Sequence, residues 1–328
     1  EMVDYSYEIA YDGFITRKGN FEFQVEPLGQ VSVCVPEVKD YLGKEAYIRF
    51  IFNAKSSTSY LEKGSEICFD QIKLEDAEVS VRDERVCSDV DETQNEKAEE
   101  NIQINEQPLM IEVNIGERSY RFNKRLSALD SIKLQDKELL QKPLEFNFFR
   151  APIDNDVMRN DWYRAHLNDY ITRNYGVLVQ QSRESVSLKL RQSFGWSVHQ
   201  PFAYMDVEYV FSGKGIDIYC SVEGTNKLTF LPRFGLRWFM DKSFNQVSYY
   251  GYGPYESYID KHQASYVGNF ESKISDMHED YIKPQENASH YGCKHMTVTN
   301  GSEKIMFSSV EGLSFNASEY TQEELASK

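Results

Sequence analysis

Along much of the chain apolar and polar side chains alternate with a period of two, the spacing of a strand that buries one face. The clearest stretch sets Met205, Val207, Tyr209 and Phe211 on one side and Asp206 and Glu208 on the other. After Ser212-Gly213-Lys214-Gly215 the alternation resumes with Ile216, Ile218, Cys220 and Val222. Two glycines able to take positive φ between two such runs predict a β-hairpin. The same signature recurs at Ala46, Ile48, Phe50 and Phe52, at Ile111, Val113 and Ile115 before Gly116, again at Tyr120 and Phe122, and at Val186, Leu188 and Leu190. A single stretch has helical spacing: Tyr163, His166, Leu167 and Tyr170 fall at i, i+3, i+4 and i+7, with Asn160 or Asp161 placed to cap the first turn. One helix among many short strands predicts an all-β chain. The strand–helix alternation that builds a (β/α)₈ barrel is absent from the sequence.

The pattern breaks between Ser88 and Asn101. From Asp89 to Glu100 there are six acids, one lysine and almost nothing apolar, which can neither pair in a half-buried sheet nor fill a core. This stretch reads as a linker or exposed loop, dividing the chain into a β unit over 1–88, an acidic linker over 89–104 and a larger β domain over 105–328. A length of 328 residues agrees with two domains, because single cores stop growing at roughly 250–300 residues.

Composition narrows the function classes. Apolar residues at 41% and aromatics at 14% supply ample core, well outside the disordered range. With a net charge of −16 the chain repels nucleic acid and anionic membranes. No run reaches the length of a membrane span, and Glu1-Met2-Val3-Asp4 is no signal peptide, so the chain reads as soluble. Cys34, Cys68, Cys87, Cys220 and Cys293 are odd in number and scattered, which encodes neither a disulfide framework nor a zinc site and fits a reducing, cytoplasmic compartment. The same thiols argue against glycosylation of the sequons at Asn287, Asn300 and Asn316.

Candidate chemistry is sparse. The six histidines, His166, His199, His262, His278, His290 and His295, form no metal-binding motif, and no nucleophile elbow or phosphate loop occurs. Two segments stand out. In Phe148-Phe149-Arg150-Ala151-Pro152-Ile153-Asp154-Asn155-Asp156 an apolar strand end meets an arginine and three carboxylate or amide side chains. Here a buried network clamping a loop is the stronger reading and ligand contact the weaker. In Tyr249-Tyr250-Gly251-Tyr252-Gly253-Pro254-Tyr255-Glu256-Ser257-Tyr258-Ile259-Asp260 five tyrosines surround a Gly-Pro turn. Tyrosines beside acids can build a saccharide site, the rings covering sugar C–H faces and the carboxylates accepting hydroxyl hydrogen bonds, or equally a packed sheet corner.

These segments carry a resemblance. Arg150-Ala151-Pro152-Ile153-Asp154-Asn155-Asp156 resembles the R-A-P-x-D-N-D segment of the large bacterial β-galactosidases of glycoside hydrolase family 2. Leu231-Pro232-Arg233-Phe234-Gly235, Gly251-Tyr252-Gly253-Pro254-Tyr255-Glu256-Ser257-Tyr258 and Tyr281-Ile282-Lys283-Pro284-Gln285-Glu286-Asn287 follow in the same order as that family's L-P-R-x-G, G-x-G-P-x-E-x-Y and Y-x-x-P-Q/S-E-N stretches. More weakly, Gly19 to Leu74 is similar to the family's preceding immunoglobulin-like domain. Ala288 stands where the family has glycine.

The resemblance implies an all-β architecture, an immunoglobulin-like β-sandwich followed by a galactose-mutarotase-like antiparallel β-supersandwich. It places both catalytic glutamates, and the magnesium and sodium ions, in a (β/α)₈ barrel, so no residue here inherits a catalytic or metal role. The chain is expected to be a C-terminal portion of a β-galactosidase that lacks the last strands, with Glu1 in place of a native start. Its expected partners are the catalytic barrel or large subunit, a β-galactoside and further copies of the parent. The alternative is a separate small subunit or carbohydrate-binding module. A mutarotase-like epimerase comes third, since it needs a histidine and a glutamate as acid and base and no histidine here sits in a matching motif. The ligand-facing candidates are Arg150, Asp154, Asn155, Asp156, Glu256 and Tyr258, with a structural role expected for most.

Overall fold

The hairpin that the alternation predicts is present: Ala203–Ser212 pairs antiparallel with Gly215–Gly224, from Ser212↔Gly215 to Ala203↔Gly224. Gly215 takes a φ of +139° at the turn. Met205, Val207, Tyr209 and Phe211 are all buried. The apolar side of the second strand is only half covered and Cys220 is exposed, because this strand ends its sheet.

The computed structural model describes residues 3–26, 28–35, 38, 43–74, 102–225 and 230–327, and the acidic stretch 89–100 lies outside them. In chain order the first sheet holds β1 (Val3–Tyr11), β2 (Phe14–Phe21), β3 (Ala46–Ala54) and β4 (Glu66–Leu74) in the order β2-β1-β3-β4. Next come β5 (Ile102–Glu106), β6 (Met110–Ile115), β7 (Arg118–Asn123), β8 (Ala128–Leu134) and β9 (Lys137–Glu138), a five-stranded meander. After β10 (Lys142–Asn147) and the short helix α1 (Arg159–Arg164), a second meander holds β11 (Ile171–Gln181), β12 (Ser185–Gly195), β13 (Ala203–Ser212) and β14 (Gly215–Gly224). β15 (Gly235–Phe239) pairs with β10. The last sheet, β17-β16-β18-β19, comprises β16 (Gln246–Gly253), β17 (Tyr266–Lys273), β18 (Ser289–Thr299) and β19 (Lys304–Asn316), and helix α2 (Gln322–Ala326) follows. Among the described residues every strand pair is antiparallel, so the all-β class holds.

These elements form two compact units whose segments interleave along the chain. One unit joins β1–β4 to Asn245–Glu279 and Asn287–Ser318. On one side of its first sheet Tyr7, Ile9 and Ile48 form a core with Tyr11, Phe21, Val38, Phe50 and Leu74. On the other side Tyr47 packs with Tyr250 and Val267, and the Gln71 amide bonds the backbone of Val267 in both directions at 2.9 and 2.8 Å. Arg49 lies 3.6 Å over the Tyr266 ring, a cation–π stack that compensates a guanidinium for the water it loses. The other unit runs from β5 to Phe244 and adds Asp280–Glu286 and Glu319 onward. Here the buried faces of β6–β8 and of β12–β13 meet, with Tyr120 5.0 Å from Phe211 and Phe122 5.9 Å from Tyr209 between ring centroids.

The predicted helix requires correction. Helical residues run over Arg159–Arg164 and not through Tyr170; Asn160 and Asp161 lie inside the helix, and the N-cap is Met158, whose side chain makes no capping bond. The chain leaves the helix at His166, which has a φ of +58°. What fixes the segment is the burial of Trp162 and Leu167, 2% and 1% exposed, which a tight turn achieves and a straight helix does not. Among the described residues no helix is long and apolar enough to cross a membrane.

Candidate functional site

The first singled-out segment begins where β10 ends. Asn147 folds over the chain, its amide donating to the Phe149 carbonyl at 2.8 Å while its carbonyl oxygen accepts from the Phe149 N–H at 3.1 Å. Phe148, Phe149 and Ala151 are fully buried, and Phe148 packs its ring against Phe194, Phe202 and Phe234. This aromatic anchor fixes the start of the loop.

Arg150 then turns back on the loop itself. Its two terminal nitrogens donate to both oxygens of Asp156 at 2.7 Å each, its guanidinium lies 5.1 Å over the Trp162 ring, and Asp156 also accepts the Ile153 N–H at 2.8 Å. A bidentate, half-buried pair of this kind locks geometry as well as charge. The Ala151 N–H, fully buried, donates to the Gln322 side chain at 2.7 Å.

The same place collects two more of the sequence motifs. Arg233 donates to the buried carboxylate of Glu286. Burial pushes the Glu286 carboxyl above its ordinary range, against the opposing pull of Arg233, Arg150 and Gln322. Arg237, on β15, donates to Glu323 at 3.0 and 2.8 Å and to Asn147 at 2.8 Å. Three of the four motifs therefore converge on one polar network beneath the 150–156 loop.

Asp154 and Asn155 stand apart from that network at the exposed tip of the loop. The Asp154 side chain is 77% exposed and meets Lys283 at 3.1 Å, and the Asn155 carbonyl accepts the Val157 N–H. Val157, beside them, is 90% exposed.

Glu256 and Tyr258 belong to the other unit. The Glu256 carboxylate, 7% exposed, pairs with Lys261 and accepts the Ala288 N–H at 3.0 Å. Tyr258 bridges to Lys261 through its backbone, and its carbonyl accepts from His262 at 2.9 Å. Ala288 has a φ of +61°, the left-handed region that glycine enters most readily, which fits the glycine that the resemblance puts at this place. His290 stacks on Phe315 and meets Tyr249 edge-on, and burial holds its imidazole below the usual range.

Sequence reasoning missed Gln322 and Glu323. Thr321 and Glu324 form a capping box that starts α2, and its Thr-x-x-Glu signature is legible in the sequence. Nothing in that signature says where the helix docks.

The β-galactosidase small-chain family matches residues 115–328, and β-galactosidase domain 4 matches residues 1–75. Curated relatives include a β-galactosidase of Actinobacillus pleuropneumoniae, 31% identical over all of this chain and 32% of its own length. A β-galactosidase of Staphylococcus xylosus is 31% identical over 71% of this chain and 24% of its own length, and one of Streptococcus thermophilus is 26% identical over 88% and 27%. The chain thus spans about a third or less of the length of these relatives.

Proposed function

The chain belongs to the β-galactosidase small-chain family, and from that premise we propose that it is the non-catalytic C-terminal portion of an enzyme hydrolysing terminal β-D-galactosides, packed on a catalytic (β/α)₈ barrel and shaping the rim of its substrate pocket. The observation that carries this reading is the pair of family matches over 1–75 and 115–328, in relatives whose remaining length is available for a barrel.

Local geometry supports it. The base of the 150–156 loop is locked by Arg150–Asp156 and by Gln322, while Asp154, Asn155 and Val157 are held outward in water. A rigid base under an exposed polar tip suits a rim contact on another module. Carboxylates of both constellations are committed to cations, Asp156 to Arg150, Glu286 to Arg233, Glu323 to Arg237 and Glu256 to Lys261. A retaining glycosidase needs one carboxylate free as nucleophile and a second as acid/base, and both are assigned to the barrel. The magnesium and sodium ions that the resemblance implies are assigned there as well. On this reading 1–88 is the immunoglobulin-like sandwich, the linker expected over 89–104 stops short of β5, which already pairs with β6 from Ile102, and the mutarotase-like supersandwich of a cytoplasmic, oligomeric parent starts with that strand.

The test expresses this chain and the barrel-bearing remainder of the parent galactosidase separately and assays o-nitrophenyl β-D-galactoside. Neither this chain alone nor the remainder alone should reach full turnover, and mixing should restore it. Turnover by the chain alone, or a fully active remainder without it, overturns the proposal.

A further inference from the structure

The outer face of the β11–β14 sheet carries an open groove of about 740 Å³. One row of side chains crosses all four strands there: Leu178 opposite Lys189, Lys189 opposite Glu208, and Glu208 opposite Tyr219. At about 4.8 Å between strands the row is ~14 Å long. Its ends are apolar and open to solvent, Leu178 at 56% and Tyr219 at 61% exposed. Its middle is ionic, with Lys189 and Glu208 3.4 Å apart and, one row on, Arg191 and Asp206 at 2.8 Å.

A bulge opens one end of the groove. The β11–β12 register jumps from Asn174↔Gln192 to Val177↔Leu190, so Tyr175 and Gly176 together oppose the single residue Arg191. The Tyr175 hydroxyl bonds that of Ser193 at 3.1 Å, two residues on from Arg191 along β12. Gly176 sits at φ +125°, and a Cβ there would meet nothing within 4 Å. One inserted residue thereby leaves a hydrogen where a side chain would stand beside the Arg191–Asp206 pair. Bulges are frequent on edge strands such as β11 and beside binding sites, and a strand glycine leaves room for a ligand or another backbone to approach.

We propose that this face binds a short neutral oligosaccharide, with the Tyr219 ring against the C–H side of one sugar and the Arg191–Asp206 and Lys189–Glu208 pairs bonding vicinal hydroxyls. Lys189 pairs with Glu208, and Arg191 is shared between Asp206 and, at 3.5 Å, Glu223, so both cations of the groove are already held by carboxylates and an anionic ligand finds neither of them open, in a chain that carries −16. A flat aromatic face plus fixed donors and acceptors is what a polyhydroxylated ring with an apolar side requires. The site lies within one unit and is separate from the 150–156 loop, so it does not depend on the pairing with a barrel.

Saturation-transfer NMR on the full 328-residue chain tests it, with lactose and a linear galactotriose as probes and no turnover read, so failure of the proposed function would leave the result intact. Binding is expected near millimolar, and Tyr219→Ala and Arg191→Ala should each weaken it by about tenfold. Both side chains face solvent, and unchanged thermal melting would confirm that the fold is kept. No transfer to either sugar overturns the proposal, as does transfer undiminished in both variants or an equally strong response from a charged galacturonate trisaccharide.

Discussion

Arg150 and Asp156 show how much one pair of residues can settle. Six positions apart, they close a loop on itself through two parallel 2.7 Å bonds, with side chains only 20% and 12% exposed. Removing one member leaves a charge stranded in a poorly hydrated place, which costs far more than the pair contributes intact. Asp156→Ala is expected to lower unfolding free energy by about 3 kcal/mol, read by urea denaturation. A loss below about 0.5 kcal/mol, the range of ordinary surface substitutions, would show that the clamp is not structural. The R-A-P-x-D-N-D run by itself suggests such a clamp, because an arginine and acids so close in sequence must meet or diverge. Which of the two acids it chooses is not legible there: Asp156 takes the pair and Asp154 goes to solvent.

Elements are legible according to how local their causes are. Strands follow from alternation because a half-buried sheet imposes that period on the sequence. The β13–β14 hairpin carries the signal twice, in its strands and in its glycine turn. Helices are harder. α1 is six residues long, too short for periodicity to define its ends, and the spacing from Tyr163 to Tyr170 belongs to a turn around buried Trp162 and Leu167. α2 matters through docking rather than through propensity, since Gln322, 5% exposed, takes up the buried Ala151 N–H. Gln322→Ala should cost about 2 kcal/mol, the penalty of an unsatisfied buried donor, and Gln322→Glu should not recover it, because a second carboxylate would then face the buried Glu286. Equal melting of wild type and Gln322→Ala by calorimetry would remove α2 from this role.

At the scale of the whole molecule, continuity in sequence and continuity in space part company. The chain passes from one unit to the other and back, so that β16–β19 group with β1–β4 while Asp280–Glu286 and the C-terminal residues group with β5–β15. Arg233, Glu286 and Gln322 meet beneath one loop only because of this interleaving. For the assembled galactosidase the proposed rim contact makes a separable claim about the loop tip. Asp154→Ala should leave stability within about 0.5 kcal/mol, as for an exposed side chain, while raising KM for a chromogenic galactoside severalfold. Unchanged KM and kcat would place the tip away from the pocket.

By itself the sequence determined the all-β class, the strands β3, β6, β7 and β12–β14 whose alternation it records, the net charge of −16 and the four motifs that resemble the family's. Each of these follows from neighbours along the chain, where period, turn chemistry and composition act directly. Only the tertiary structure decided which acid Arg150 holds, that Gln322 completes the network, and that a one-residue bulge opens the β11–β14 face. Those outcomes depend on side chains up to 171 residues apart competing for the same buried hydrogen bonds, and no local pattern records which of them prevails.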